Sequence, residues 1–590
     1  MIHQPTDKFY FFLFLLATSM LLNAQTIENI EVSGNSSFSQ SNYKDWINLN
    51  NQKYFVSAND TIKKRIAFNL QQNGYYNFQI DSVKSFLSSD SQKVSFFINL
   101  NEGNPTYVNE IFLANLDSLE IDDINEKFNL LKNSPFIISE FEMVFSELLT
   151  NFENNGFPFA SININSLFFF YDSTKEENLV DIYVEFKKNQ ISKIDTIVIV
   201  GNSDTKDYVI TRELRINKEE PYSQKRIEQI PIKLNRLHFF EMVERPTYFF
   251  DSHNKGILQI NVKEKSTNSF DGILGYIPPS TDKDDGYLTG LVNVNLRNLF
   301  GTGRAFSLKW SKLDKHSQEL ELKYLEPWVL GLPFNIDLML FQRQQDTTYV
   351  QRILNGNIEF LATESFSSAL TFSQEYTIPT NPDKNGFTVF NSVSTNSGIN
   401  FKYDSRNDIF VPAKGLFLLS AFKYTSKNIL GPDIYISDST NTNPNQFKIE
   451  FDLFLFKSFF TRHIPFVGLH LRELRGDDVE ISDMYRIGGN NTLRGYQENQ
   501  FTGNRILWTN IEYRYLIGRR SYTFFFTDIA YYKREAILLQ KLPEQSATKI
   551  GYGMGITFET ALGMLAVSYA LAEGDSFNKG KIHFGLIGEF

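Results

Sequence analysis

Residues 486–496, RIGGNNTLRGY, combine types that a plain turn does not need. Gly488 and Gly489, followed by Asn490 and Asn491, call for a tight turn with positive φ. Leu493, Arg494, Gly495 and Tyr496 come next, and an arginine so placed is aimed at a buried carboxylate. The chemistry on offer is ion pairing, because a planar guanidinium serves two acceptors at once and lysine does not. Bond-making chemistry finds no comparable support. His238, His253, His316, His463, His470 and His583 are scattered without metal-ligand spacing, and there is no Gly-x-Ser-x-Gly elbow. No catalytic residue, metal ligand or cofactor is therefore assigned, and the chain is read as a non-enzyme. The glycine loop at residues 297–304, RNLFGTGR, invites a phosphate reading, but no helix follows it to supply the N-terminal amides.

The elements around this turn are strands. From about residue 268 onward the sequence consists of alternating segments separated by Gly, Pro, Asn and Asp turns, the signature of a membrane barrel. That stretch divides into roughly 16 antiparallel strands at the strand length a tilted barrel needs. The last segment alternates cleanly: Ile582, Phe584, Leu586 and Phe590 share one face, while Lys581, His583, Gly585, Ile587 and Glu589 share the other. Gly551, Gly553 and Gly555 lie on one strand face, where they leave room for a loop inside the barrel.

The N-terminal third is a repeat. An alternating strand ending in Gly34-Asn35 recurs with Gly201-Asn202. Breaks at Asn73-Gly74, Asn155-Gly156 and Leu237-His238 recur at domain-sized intervals, and each unit closes on an alternating strand. The predicted order is strand, helix, helix, strand, strand. The boundaries read as 25–103, 104–188 and 189–265, with the barrel at 266–590. The middle copy is the weakest, because its first strand lacks the Gly-Asn turn.

Residues 1–24 read as a secretory signal with a basic Lys8 and an apolar run of roughly 14 residues, short of the ~20 that span a bilayer. No cysteine occurs, which excludes disulfides, thiolate metal sites and a lipidated cysteine. A net charge of −10 disfavours nucleic acid as a partner. Aromatics at 15% suit strands and interfacial girdles.

Several of these segments resemble the BamA/TamA superfamily of outer-membrane assembly factors. Residues 486–496 are similar to its inward-folded lumen loop, and residues 297–304 to its early hairpin turn. Tyr403-Asp404-Ser405-Arg406-Asn407-Asp408 with Pro412 and Gly415 is similar to its mid-barrel turn. The three N-terminal units resemble its POTRA domains, and three of them match the TamA-type layout. The resemblance implies that Arg494 meets carboxylates on two following strands, here Glu512 and Asp528, with Ala530 standing where the family usually has glycine. Alternation does put Asn510, Glu512 and Arg514 on one face. The other readings are a latch that only sets conformation, or an exposed arginine with solvated acids.

The resemblance also implies a function. The expectation is an outer-membrane factor, its N-terminal domains in the periplasm, that inserts or exports client polypeptides through a weak seam between first and last barrel strands. Gly272 and Gly275 on one side, and Phe584, Gly585, Gly588 and Phe590 on the other, would form that seam. Partners would be unfolded outer-membrane or secreted polypeptides, outer-membrane lipid and a TamB-like periplasmic bridging protein. The alternative is an FhaC-type secretion pore for one dedicated passenger.

Overall fold

The computed structural model describes residues 25–587 except 90–91, 117–120, 279–285, 313, 381–386, 439, 519, 539–541 and 561–562. The signal-like segment 1–24 and the seam residues Gly588 and Phe590 lie outside the described residues. The described residues form two compact units: 25–194 with 219–226, and 195–218 with 227–587.

The first unit holds two α+β domains. In the first, β1 (Thr26–Ser33) leads through α1 (Gln40–Ile47) and α2 (Ala58–Gln72) to β2 (Gln79–Leu87) and β3 (Lys93–Asn101). The last strand is central, parallel to the first and antiparallel to the second. Ile27, Ile30 and Val32 alternate inward to meet Ile62, Ile66 and Leu70, spaced at a helical period on α2. Ser39 caps α1 in a reciprocal capping box with Asn42. The second domain runs β4 (Thr106–Ala114), α3 (Ile121–Asn129), α4 (Ile138–Asn154), β5 (Ser161–Asp172) and β6 (Glu177–Lys187), with the same strand order and senses. A short ribbon of β7 (Lys193–Ile194) and β9 (Glu220–Pro221) completes this unit.

The second unit begins with β8 (Thr196–Val200), α5 (Asp207–Leu214), α6 (Gln224–Leu237), β10 (Thr247–Phe250) and β11 (Gly256–Asn261). Here too the last strand is central between a parallel first and an antiparallel second.

One local device recurs. Gly34 and Gly201, both at positive φ, sit where a Cβ would collide with the carbonyl oxygens of Leu100 and Val262. Two residues past those carbonyls, Glu102 and Glu264 reach back into the turn. Glu102 accepts from the amides of Ser36, Ser37 and Phe38 and from Tyr43 Oη at 2.7 Å. Glu264 accepts from the amides of Ser203, Asp204 and Thr205. By register the middle domain has Asn115, also at positive φ, and Lys188 at these positions. The missing Gly-Asn signal thus reflects a different closure of the same topology.

Sixteen antiparallel strands form the barrel. They are β12 (Ser269–Ile277), β13 (Tyr287–Leu299), β14 (Arg304–Lys312), β15 (Gln318–Glu326), β16 (Phe334–Gln345), β17 (Tyr349–Phe360), β18 (Phe366–Pro379), β19 (Asn391–Asp404), β20 (Gly415–Gly431), β21 (Asn445–Phe456) and β22 (His463–Gly476), then β25 to β29. Between β22 and β25 a long loop folds on itself as a ribbon of β23 (Tyr485–Ile487) and β24 (Phe501–Gly503). The remaining strands are β25 (Arg505–Gly518), β26 (Ser521–Arg534), β27 (Gln545–Thr560), β28 (Gly563–Ala572) and β29 (Lys581–Ile587). Each strand pairs with its neighbour in this order, and among the described residues no ladder joins β12 to β29. Among the described residues no helix is long and apolar enough to cross a membrane, which leaves crossing by strands open.

Two polar stretches, 374–396 and 426–446, are largely strand at their ends. Residues up to Pro379 belong to β18 and those from Asn391 to β19, while β20 runs through Gly431 and β21 starts at Asn445. Their polarity arises because alternate residues such as Glu375, Ser394, Asn396 and Lys427 face the interior.

The two turn motifs of the barrel seat the third small domain. In the turn after β13, Asn298 Nδ2 donates to Thr205 Oγ1 at 2.7 Å and Gly301 O accepts from Lys206 N at 2.9 Å. Trp328 Nε1 donates to Glu213 at 2.7 Å, and Lys233 pairs with Glu364 at 2.5 Å. In the turn after β19, Arg406 O accepts from Arg236, and the Phe410 ring lies 4.2 Å from that of His238. Burial holds the His238 imidazole at a pKa of about 3, hence neutral.

Candidate functional site

The inner face of β25 presents Asn510, Glu512 and Arg514, and that of β26 presents Phe524, Phe526, Asp528 and Ala530. The loop between β22 and β25 descends onto this surface. Its tip is shaped by Gly488, Gly489 and Gly495, all at positive φ, and by bonds from Gly488 N to Thr492 Oγ1 (2.9 Å) and Gly489 N to Leu493 O (3.1 Å).

Arg494 lies at the centre. Its Nη1 donates to Glu512 Oε1 at 2.7 Å, while Nη2 and Nε grip Asp528 Oδ1 and Oδ2 at 2.7 and 2.8 Å. The Arg494 amide donates a further bond to Asp528 at 3.0 Å. Asp528 is 0% exposed and Arg494 6%. Asn510 Nδ2 bridges Asp528 Oδ1 (2.7 Å) and Thr492 O (2.9 Å), and Arg514 Nε pairs with Glu512 Oε2 at 2.8 Å. Two cations face two anions, so the cluster is neutral in sum. The Arg494 guanidinium lies 3.7 Å from the Phe526 ring centroid, an aromatic floor that replaces water on one side.

Around this centre the loop is packed rather than suspended. Leu493 and Tyr496 are buried with Ile506, Trp508, Ala530 and Tyr532. Ala530, standing where the family usually has glycine, contributes a small apolar wall. Tyr496 Oη donates to Ile550 O at 3.1 Å. Gly551 is required by the loop itself, since a Cβ there would collide with Arg494 O. Gly553 and Gly555 serve a different end: each faces a phenylalanine ring, Phe526 and Phe524 respectively, and a neighbouring strand carbonyl.

Nearer its start the loop has a second buried anchor. Lys427 Nζ on β20 pairs with Glu480 at 2.5 Å and Asp483 at 2.9 Å, and Gln446 Nε2 donates to Asp483. Nothing in the sequence motif pointed to this triad; its signal was only a lysine at an inward position of an alternating strand.

The seam residues are placed separately. Gly272 and Gly275 lie on β12 against β13, and Phe584 projects outward from β29. Gly585 pairs with Ala566 of β28, and a Cβ on it would strike the Asn490 side chain of the loop. Among the described residues no group of His, Cys, Asp or Glu is arranged to hold a metal.

The fold is thus a sixteen-stranded barrel with its own loop latched in the lumen, preceded by α+β domains of one repeated topology. The Omp85 superfamily domain matches residues 298–590, and the surface-antigen POTRA repeat matches residues 25–103 and 192–265. The chain belongs to the Omp85 superfamily. It is similar to the outer membrane protein assembly factor BamA of Nitratidesulfovibrio vulgaris, 22% identical over 539 residues covering 83% of this chain and 64% of that protein. It is 23% identical to BamA of Neisseria meningitidis over 289 residues, covering 48% of this chain and 34% of that one. The chain thus spans less than two thirds of the length of these relatives. Among solved structures, BamA of Haemophilus ducreyi lacking POTRA domains 1–3 aligns at 15% identity with a TM-score of 0.48, covering 81% of this chain and 98% of that one. CdiB of Acinetobacter baumannii aligns at 12% identity with a TM-score of 0.44, covering 91% and 96%.

Proposed function

We propose that this protein is an outer-membrane assembly factor that inserts client polypeptides at the seam between β12 and β29. Its three α+β domains extend into the periplasm and take up extended client segments. The observation that carries this reading is the pinned loop. A barrel whose lumen holds a loop fastened by a neutral four-charge cluster is poorly built as an open pore, so the working surface is sought at the wall. The strands at the two ends of the sheet are suited to exchange partners: β12 carries Gly272 and Gly275, and glycine weakens a strand by roughly 0.5–1 kcal/mol against alanine. Phe270, Leu274 and Tyr276, which share one face of β12, and Ile582 and Phe584 on β29 are exposed side chains suited to lipid. An unpaired strand edge offers amides and carbonyls to an incoming strand.

The test is in-cell photocrosslinking from Phe584, with Ser373 on the inner face of β18 as a lumen control. Capture of the terminal strands of many different barrels at Phe584 is the expected result. One long passenger captured at Ser373, with nothing at Phe584, would replace this reading with a dedicated exporter. Co-purification would decide whether a TamB-like bridging protein takes part.

A further inference from the structure

The lumen loop does more than sit on β25 and β26. Gly495 N, the amide next to Arg494, donates to His583 Nε2 on β29 at 3.1 Å. Two residues on, Gly585 gives up its side chain to the Asn490 amide of the same loop. Between these ends, Gly551 on β27 receives Arg494 O, and Gly495 itself packs on the Leu571–Ala572 backbone of β28, where a Cβ would meet Leu571 O. One short loop segment, residues 490–496, therefore touches five consecutive strands and ends on the last.

We infer that His583 is a positioning residue that ties β29 to the Arg494 loop, so that loop and seam strand move together. The argument is geometric. The β28–β29 ladder covers seven residue pairs, and among the described residues no ladder supports β29 on its other side. A strand held along one edge gains orientation from any contact on its inner face. Here that contact comes from a loop whose own position is fixed by four bonds from Arg494 to Glu512 and Asp528 and by one from Asn510 Nδ2 to Thr492 O. The bond also selects a protonation state: His583 accepts through Nε2, so its ring is neutral with the proton on Nδ1. Gly585 is small for the same reason, since a side chain there would push the loop off the strand. Release of Arg494 from Glu512 and Asp528 then withdraws the inner support of β29, while Lys427, Glu480 and Asp483 still hold the start of the loop. The meaning given to this coupling, control of the seam, rests on the assembly reading proposed above.

The test is hydrogen–deuterium exchange of the full chain in lipid nanodiscs, read at residues 488–497 and 581–587, beside a separate client-insertion assay. In R494A and G551A, which free the loop from β25–β27 without altering a residue of β29, exchange in 581–587 is expected to rise at least tenfold. H583L is expected to raise exchange in both segments, and H583Q, which keeps an acceptor, to restore the loop protection. Should H583L not yield folded protein, R494A and G551A decide alone. Unchanged exchange in 581–587 when the loop is freed, or equal behaviour of H583L and H583Q, overturns the coupling. Coupled exchange with unimpaired insertion would leave the coupling standing and remove the seam function; the reverse pattern would do the opposite.

Discussion

At Arg494 the balance of charge decides what a substitution costs. Removing one partner of a buried pair leaves the other uncompensated, at about 3–5 kcal/mol, whereas removing a whole pair is much cheaper. R494L strands Asp528, which is 0% exposed, beside Glu512 with only Arg514 to balance both. It is expected to lower barrel stability by that amount, read as the temperature at which the compact barrel band is lost on semi-native gels. R494L/D528N, which keeps an acceptor for the residue-494 amide and leaves Glu512 with Arg514, should recover at least half of the loss. R494K should resemble R494L more than wild type, because it cannot grip Asp528 through two nitrogens. The sequence made part of this legible. Strand alternation put Asn510, Glu512 and Arg514 on one face, and the glycines announced the turn. It could not show Phe526 beneath the guanidinium or His583 beside Gly495, because those contacts are set by barrel curvature and by a separation of 88 residues in the chain.

At the scale of the element, the repeated carboxylate in the small domains is the clearest device. Burial alone would raise Glu264, but bonds from Thr205, Asp204 and Ser203 outweigh it and hold its pKa at about 2. Glu102 is likewise held below the usual range, burial being outweighed by Tyr43 and the amides of Ser37, Ser36 and Phe38. A carboxylate depressed on folding stabilises fully above its unfolded pKa, and that stability is lost as pH falls toward the folded value. For a fragment of residues 25–226, the urea midpoint is therefore expected to fall as pH drops below the ordinary glutamate range. E102Q should cost ~1–3 kcal/mol at neutral pH, in line with hydrogen bonds to a charged acceptor, and should flatten the acid dependence. The barrel turns carry a related lesson. Residues 297–304 and 403–415 resemble the superfamily's early hairpin turn and mid-barrel turn, which says nothing of docking, yet each seats the third small domain, and Gly301 is needed because a Cβ would collide with Asp204 O. A docking surface of this kind has no local period to betray it.

For the molecule as a whole, the repeat topology and the strand count followed from patterning, since period-2 runs and evenly spaced breaks are local properties of the chain. How those parts group did not. The third small domain clusters with the barrel, held by Trp328–Glu213, Lys233–Glu364 and Asn298–Thr205, while the first two domains form a unit of their own. A chain lacking residues 25–188 should therefore still give a compact, heat-modifiable barrel. W328A/E364A in the full chain should leave that barrel folded but expose residues 206–215 to protease.

The order in which a ribosome makes these parts adds a consequence. Arg494 and Gly495 are synthesised before the residues they dock against: Glu512, Asp528 and Gly551 for Arg494, Leu571 and His583 for Gly495. Until those residues are made, the arginine end of the loop has no partners, although Lys427 can already hold Glu480 and Asp483 at its start, and the missing contacts are non-local, the slow kind to form. The C-terminal third must therefore assemble around the arginine in one late event. Until then the leading and trailing strand edges of the growing sheet stay unpaired, the condition under which incompletely folded chains aggregate.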